Sequence, residues 1–103
     1  MKVRIPQTFK IGATLVSVCF TEDLLDDCGF YGTFNRRTDK LELESRLKDA
    51  PSKRDKTFGH ELMEVIKENY NLHTSEEDMS NIANGWLEFL SQLGIEFDWE
   101  EIK

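Results

Sequence analysis

The apolar residues of this chain change period once, and that change restricts the fold more than any other feature. Up to Glu44 they recur at every second position, in short runs broken by glycine and polar clusters. After Ala50-Pro51-Ser52 they recur at helical spacing. Thr8-Phe9-Lys10-Ile11 alternates, Gly12-Ala13 predicts a hairpin turn, and Leu15-Val16-Ser17-Val18-Cys19-Phe20 follows with β-branched residues. Thr21 to Asp27 reads as an acidic loop. Phe30-Tyr31-Gly32-Thr33-Phe34 predicts a third strand with Phe30, Gly32 and Phe34 on one face. Asn35 to Asp39 is a turn cluster, and Lys40-Leu41-Glu42-Leu43-Glu44 predicts a fourth strand with Leu41 and Leu43 toward the core. Strands joined this tightly predict a small antiparallel four-stranded meander over residues 1–45.

Residues 52–93 predict a helical hairpin. Pro51 or Ser52 opens the first helix, since proline suits a first turn and serine caps one. Phe58, Leu62, Val65, Ile66 and Asn69 share one face, and Thr57, His60, Glu61, Glu64 and Glu68 share the other. Ser75-Glu76-Glu77-Asp78 marks a second N-terminus, with acids where the helix dipole favours them. Met79, Ile82, Ala83, Trp86, Leu90 and Leu93 then keep helical spacing until Gly94 stops the helix. In the tail, residues 94–103, Ile95 to Trp99 alternates, as for a short edge segment or a cover over the core. The expected class is α+β, a four-stranded meander followed by two packed helices. At 103 residues it forms one domain with one core.

Composition narrows the function classes. A chain 39% hydrophobic and 32% charged is globular rather than disordered, and no apolar run is long enough to span a bilayer. The N-terminus lacks the apolar stretch of an export signal, so a cytoplasmic location without a membrane partner is expected. Cys19 and Cys28 are too few for a disulfide framework and are expected to be inert, buried thiols. Trp86, Trp99 and the phenylalanines are expected to pack in the core and at its edges. Arg36-Arg37 and Lys53-Arg54-Asp55-Lys56 read as solvated turn and linker charge. The net charge of −7 divides into +2 over residues 1–56 and −9 over residues 57–103. So acidic a second half disfavours direct nucleic-acid binding.

Within that acidic half, Thr57-Phe58-Gly59-His60-Glu61-Leu62-Met63-Glu64 has the form H-E-x-x-E, one ligand away from the zinc-peptidase string H-E-x-x-H. Residues four apart share a helical face, so His60 and Glu64 project together and both are competent zinc ligands, with Glu61 beside them as a general base. A third ligand would come from Glu77 or Glu76 at the start of the next helix, with His73 in the connecting turn a weaker candidate. The carboxylate at position 64 lowers selectivity for zinc over harder divalent ions, and the same string also arises on ordinary solvated helix faces.

Taken with Ile11-Gly12, Gly29-Phe30-Tyr31-Gly32-Thr33-Phe34, Leu41-Glu42-Leu43 and Ala83-Asn84, the string Thr57 to Leu62 resembles the short phage and prophage members of the ImmA/IrrE-type, zincin-like metallopeptidase family, over nearly the whole chain. The resemblance implies a zincin-like fold, His60 as first ligand, Glu61 as general base, Glu76 or Glu77 as third ligand, and zinc as cofactor. Glu64 departs from the family's second histidine. The expected function is metal-dependent cleavage of a protein or peptide partner, in the host cytoplasm if phage-encoded. A degenerate relative that binds a protein without cleaving it, with no metal at all, is the main alternative. An acidic mimic of nucleic acid is a third.

Overall fold

The structure, a computed structural model, describes residues 1–103. Six strands and three helices follow one another as β1 (Lys2–Arg4), β2 (Thr8–Ile11), β3 (Thr14–Thr21), α1 (Leu24–Cys28), β4 (Gly32–Asn35), β5 (Lys40–Glu44), α2 (Pro51–Tyr70), α3 (Glu76–Gln92) and β6 (Glu96–Asp98), with a 3-10 turn at Ser45–Asp49. The class is α+β, with a four-stranded sheet and two packed helices. The sheet is mixed rather than an antiparallel meander, in the order β2-β3-β5-β4. β2 pairs with β3 and β4 with β5 as antiparallel hairpins, but β3 and β5 run parallel, with Val18 opposite Leu41 and Phe20 opposite Leu43.

The reason for the mixed order lies between Thr21 and Gly32. The acidic segment expected to be a loop contains α1, whose buried Leu24 anchors the crossover; Asp23 and Gly29, both with positive φ, bound it. The chain is thereby carried past the neighbouring position, β4 takes the outer edge, and β5 returns between β4 and β3. Glu44 pins this crossover. Its fully buried carboxylate accepts hydrogen bonds from the Leu25 and Arg46 amides (3.1 and 2.8 Å) and from the Arg46 guanidinium, which also meets Asp26.

α2 lies against the sheet. Phe58 and Val65 join Val16, Val18, Leu41, Leu43 and Leu47 in the core, which Ile5, Trp99 and Ile102 complete from the two chain ends. Those ends meet because β1, which alternation did not reveal, pairs in parallel with β6. The basic stretch before Thr57 is helical rather than a linker. Lys53 lies over the Tyr31 ring, Arg54 over Trp99, and Asp55 accepts from Trp99 Nε1 at 3.0 Å. Arg36 pairs with Glu68 and so ties the β4–β5 turn to α2.

α2 ends at Asn71 in the left-handed conformation, and Ser75 caps α3 by accepting from the Asp78 amide at 3.1 Å. α3 packs chiefly on α2, burying Met79 and Ala83. Gly59 permits the approach, for a Cβ there would already stand 3.3 Å from Leu87 and 3.4 Å from Ala83. Trp86, Phe30 and Phe89, expected in the core or at its edges, are exposed, and so is Cys28; Cys19 is half-buried. α3 packs extensively only against α2, and its second apolar stripe, Ile82, Trp86, Phe89 and Leu93, is exposed. No helix is long and apolar enough to cross a membrane.

Candidate metal centre

Two helices build the centre. On α2, His60 and Glu64 stand one turn apart on the face turned toward α3. On α3, Glu76 in the first turn and Ser80 one turn later face back. Ligand atoms of His60, Glu64 and Glu76 lie within 4.8 Å of one another, so the three can hold a metal ion. Glu76 is thus the third member, brought in by the Ser75 cap that sets the start of α3. Glu77 and His73 are exposed and outside the group.

The histidine is oriented from both sides. Its Nε2 is 2.9 Å from Glu76 Oε2, and its Nδ1 is 2.8 Å from Ser80 Oγ. Without a metal, Nε2–H donates to the Glu76 carboxylate and Ser80 Oγ engages Nδ1; a cation on Nε2 would take the place of that proton, with Nδ1–H then donating to Ser80. Ser80 was not among the residues singled out in the sequence, but Glu76 and Ser80 are four apart and so necessarily share a face.

Burial, hydrogen bonding and neighbouring charge shift the three carboxylates in different directions. Burial, then the hydrogen bond to Glu76 and the charges of Glu76 and Glu61, push Glu64 up to about 7. Glu76 moves down, first through that hydrogen bond and then through His60, against an opposing effect of burial. Burial also raises Glu61; His60 opposes the shift and Glu76 adds to it. The raised proton affinity of Glu64 and Glu61 beside the Glu76 charge is the behaviour of a donor set with excess negative charge.

Beside the centre, Phe30, Tyr31 and Gly32 face Lys56, Thr57, Ser80 and Asn84 across a groove of about 360 Å³ that ends on His60 and Glu61. Gly32 sets its depth, because a Cβ there would stand 2.6 Å from Thr57 Cγ2 and 3.1 Å from Glu61 Cγ. A larger hollow, about 530 Å³ between the start of α2 and the end of α3, meets this groove at Lys56 and Asn84 and touches none of the four acid and histidine side chains. Size alone therefore does not mark the site; the convergence of titratable groups does. No protein-family model, curated protein or solved structure matches the chain.

Proposed function

We propose that this chain is a short zincin-like metallopeptidase that holds a divalent ion, zinc first among them, on His60, Glu64 and Glu76 and hydrolyses a peptide bond in a protein partner. The observation that carries the reading is the three-ligand group within 4.8 Å, formed across two helices, with the half-buried Glu61 next to it at the end of a groove. One imidazole and two carboxylates balance a divalent charge and suit zinc or manganese.

When bound, such an ion supplies Lewis acidity toward a carbonyl and toward an attacking water. Glu61 does the proton work. Its carboxylate accepts the proton of the attacking water and delivers it to the leaving amine, and its raised proton affinity suits the return step. Ser80 holds the His60 ring in register throughout. The substrate has a natural berth, because β4 is an edge strand and its Gly32 end borders Glu61. An extended peptide added to that edge places its backbone along the groove.

The test is cleavage of a proteome-derived peptide library by protein loaded with Zn²⁺ or Mn²⁺, read as new termini by mass spectrometry. Metal-dependent cleavage at a restricted set of sequences, abolished in Glu61→Gln while that variant keeps its metal, is the expected result. Equal cleavage by Glu61→Gln, or none by the loaded wild type, overturns the reading.

A further inference from the structure

The hollow of about 530 Å³ has no part in the metal centre, yet it continues the groove that ends on His60 and Glu61, because Lys56 and Asn84 wall both. The two helices set distances along this track. On α2, His60, Lys56 and Ser52 follow one another in four-residue steps, and on α3 Ser80, Asn84 and Glu88 do so in the opposite direction. Eight helical residues span about 12 Å, the length of roughly three or four residues of extended chain. A peptide cut beside His60 and running along the track therefore brings a side chain three or four residues away to the level of Glu88.

The hollow is amphipathic. Leu87, Leu90, Ile95 and Phe97 supply apolar wall, and Asp55, Glu88 and Glu96 supply carboxylates. Asp55 Oδ1 is engaged by Arg54 and Trp99, but Glu88 and Glu96 are exposed and take part in no ion pair. An apolar side chain would leave these two carboxylates unused, and an acidic one would meet them with like charge. Lysine and arginine suit both parts of the wall, with a methylene stem on the apolar residues and a cationic head at the free acids. Lys56 at the junction repels a basic residue nearer the centre, so the preference belongs to the hollow. We propose that this hollow is a specificity subsite that takes a lysine or arginine side chain of the peptide, three or four residues from the bond cut beside His60 and Glu61. The position of the cut rests on the peptidase reading; uptake of a basic side chain by the hollow does not.

Binding and cleavage are therefore read separately. Three labelled, end-blocked peptides of about ten residues, alanine and serine apart from one central arginine, norleucine or glutamate, are titrated by fluorescence anisotropy against full-length Glu61→Gln with Zn²⁺ present. The arginine peptide is expected to bind at least about fivefold more tightly than the norleucine peptide, the size of one or two exposed ion pairs. Its binding should weaken as salt rises from about 0.05 to about 0.5 M, and Glu88→Lys in the same background should reverse the order of arginine and glutamate. Position 88 is exposed, and circular dichroism verifies that the variant is folded. Equal binding of the arginine and norleucine peptides, no binding of any, or an order that Glu88→Lys leaves unchanged overturns the proposal. Cleavage of a peptide library by the zinc-loaded wild type separates the two readings. Cuts with lysine or arginine enriched three or four residues away, and acids there for Glu88→Lys, support both. Cuts without that preference overturn the subsite and leave the peptidase reading standing. Arginine-selective binding without any cut overturns the peptidase reading and leaves the hollow as a site for basic side chains.

Discussion

Glu64 is the residue on which the site's chemistry turns. Its carboxyl group, pushed up to about 7, is about half protonated at neutral pH in the absence of a cation, whereas in the unfolded chain it ionises near 4.5. The folded protein therefore benefits below pH 4.5, where both states hold the proton, and loses that benefit as pH rises through 7. The shift alone corresponds to ~3 kcal/mol, and solvent screening at this half-buried position reduces it to about 1 kcal/mol. Glu64→Gln is accordingly expected to raise the metal-free thermal midpoint at pH 8 by about 4–8 °C, with the gain vanishing near pH 4.5. A gain that is constant with pH, seen by differential scanning fluorimetry, would show that Glu64 is not under this stress. His60, Glu61 and Glu64 were legible in the sequence because they are local to one helix. The choice of Glu76 over Glu77 was not, because it depends on the roll of α3 about its own axis, a matter of tertiary packing against α2.

Among the elements, the strands and helices themselves were readable from period and caps, as the Gly12-Ala13 hairpin, Pro51, Ser75 and Gly94 demonstrate. Strand order was not, because alternation records which face is buried and not which neighbour is paired. The five-residue α1 is too short for a helical period to show, yet it converts a meander into a mixed sheet. β1 is exposed along its whole length and so carries no alternation at all. Asn69, which sequence placed on the apolar face of α2, serves neither core nor site. Its Oδ1 accepts from the Ala13 amide and the Thr14 hydroxyl, at 3.2 and 2.9 Å, and so fastens the hairpin to the helix end. The sheet approaches α2 closely at Gly32. Gly32→Ala forces Thr57 and α2 outward and is expected to cost ~1–3 kcal/mol in chemical denaturation. It should also weaken metal binding, because Glu61 and His60 ride on the same turn. Unchanged stability would mean that α2 is seated less tightly than the 2.6 Å approach requires.

Across the whole molecule, charge and topology divide the labour. The sheet half, with both chain ends stitched by β1 and β6, supplies most of the core, and the acidic helical half adds Phe58 and Val65 to it and carries the candidate centre and the unpartnered stripe. Acid tolerance depends on Glu44. The Arg46 and Leu25 amides and the Arg46 guanidinium hold it at about 2 in spite of burial, so its contribution is complete above 4.5 and is lost as pH falls through about 2. Glu44→Gln is expected to be less stable than wild type at pH 7, with the difference closing toward pH 2 in acid-unfolding curves followed by circular dichroism. A difference that persists unchanged to pH 2 would contradict that role. The central claim is that His60, Glu64 and Glu76 hold one divalent ion. Its most direct test is zinc titration against a chromophoric chelator at pH 7.5, for wild type, His60→Ala, Glu76→Gln and Glu77→Gln. One zinc per chain is expected, with affinity at least about tenfold weaker in His60→Ala and Glu76→Gln and no comparable loss in Glu77→Gln. Absence of saturable binding, or equal affinity in all four proteins, would contradict it.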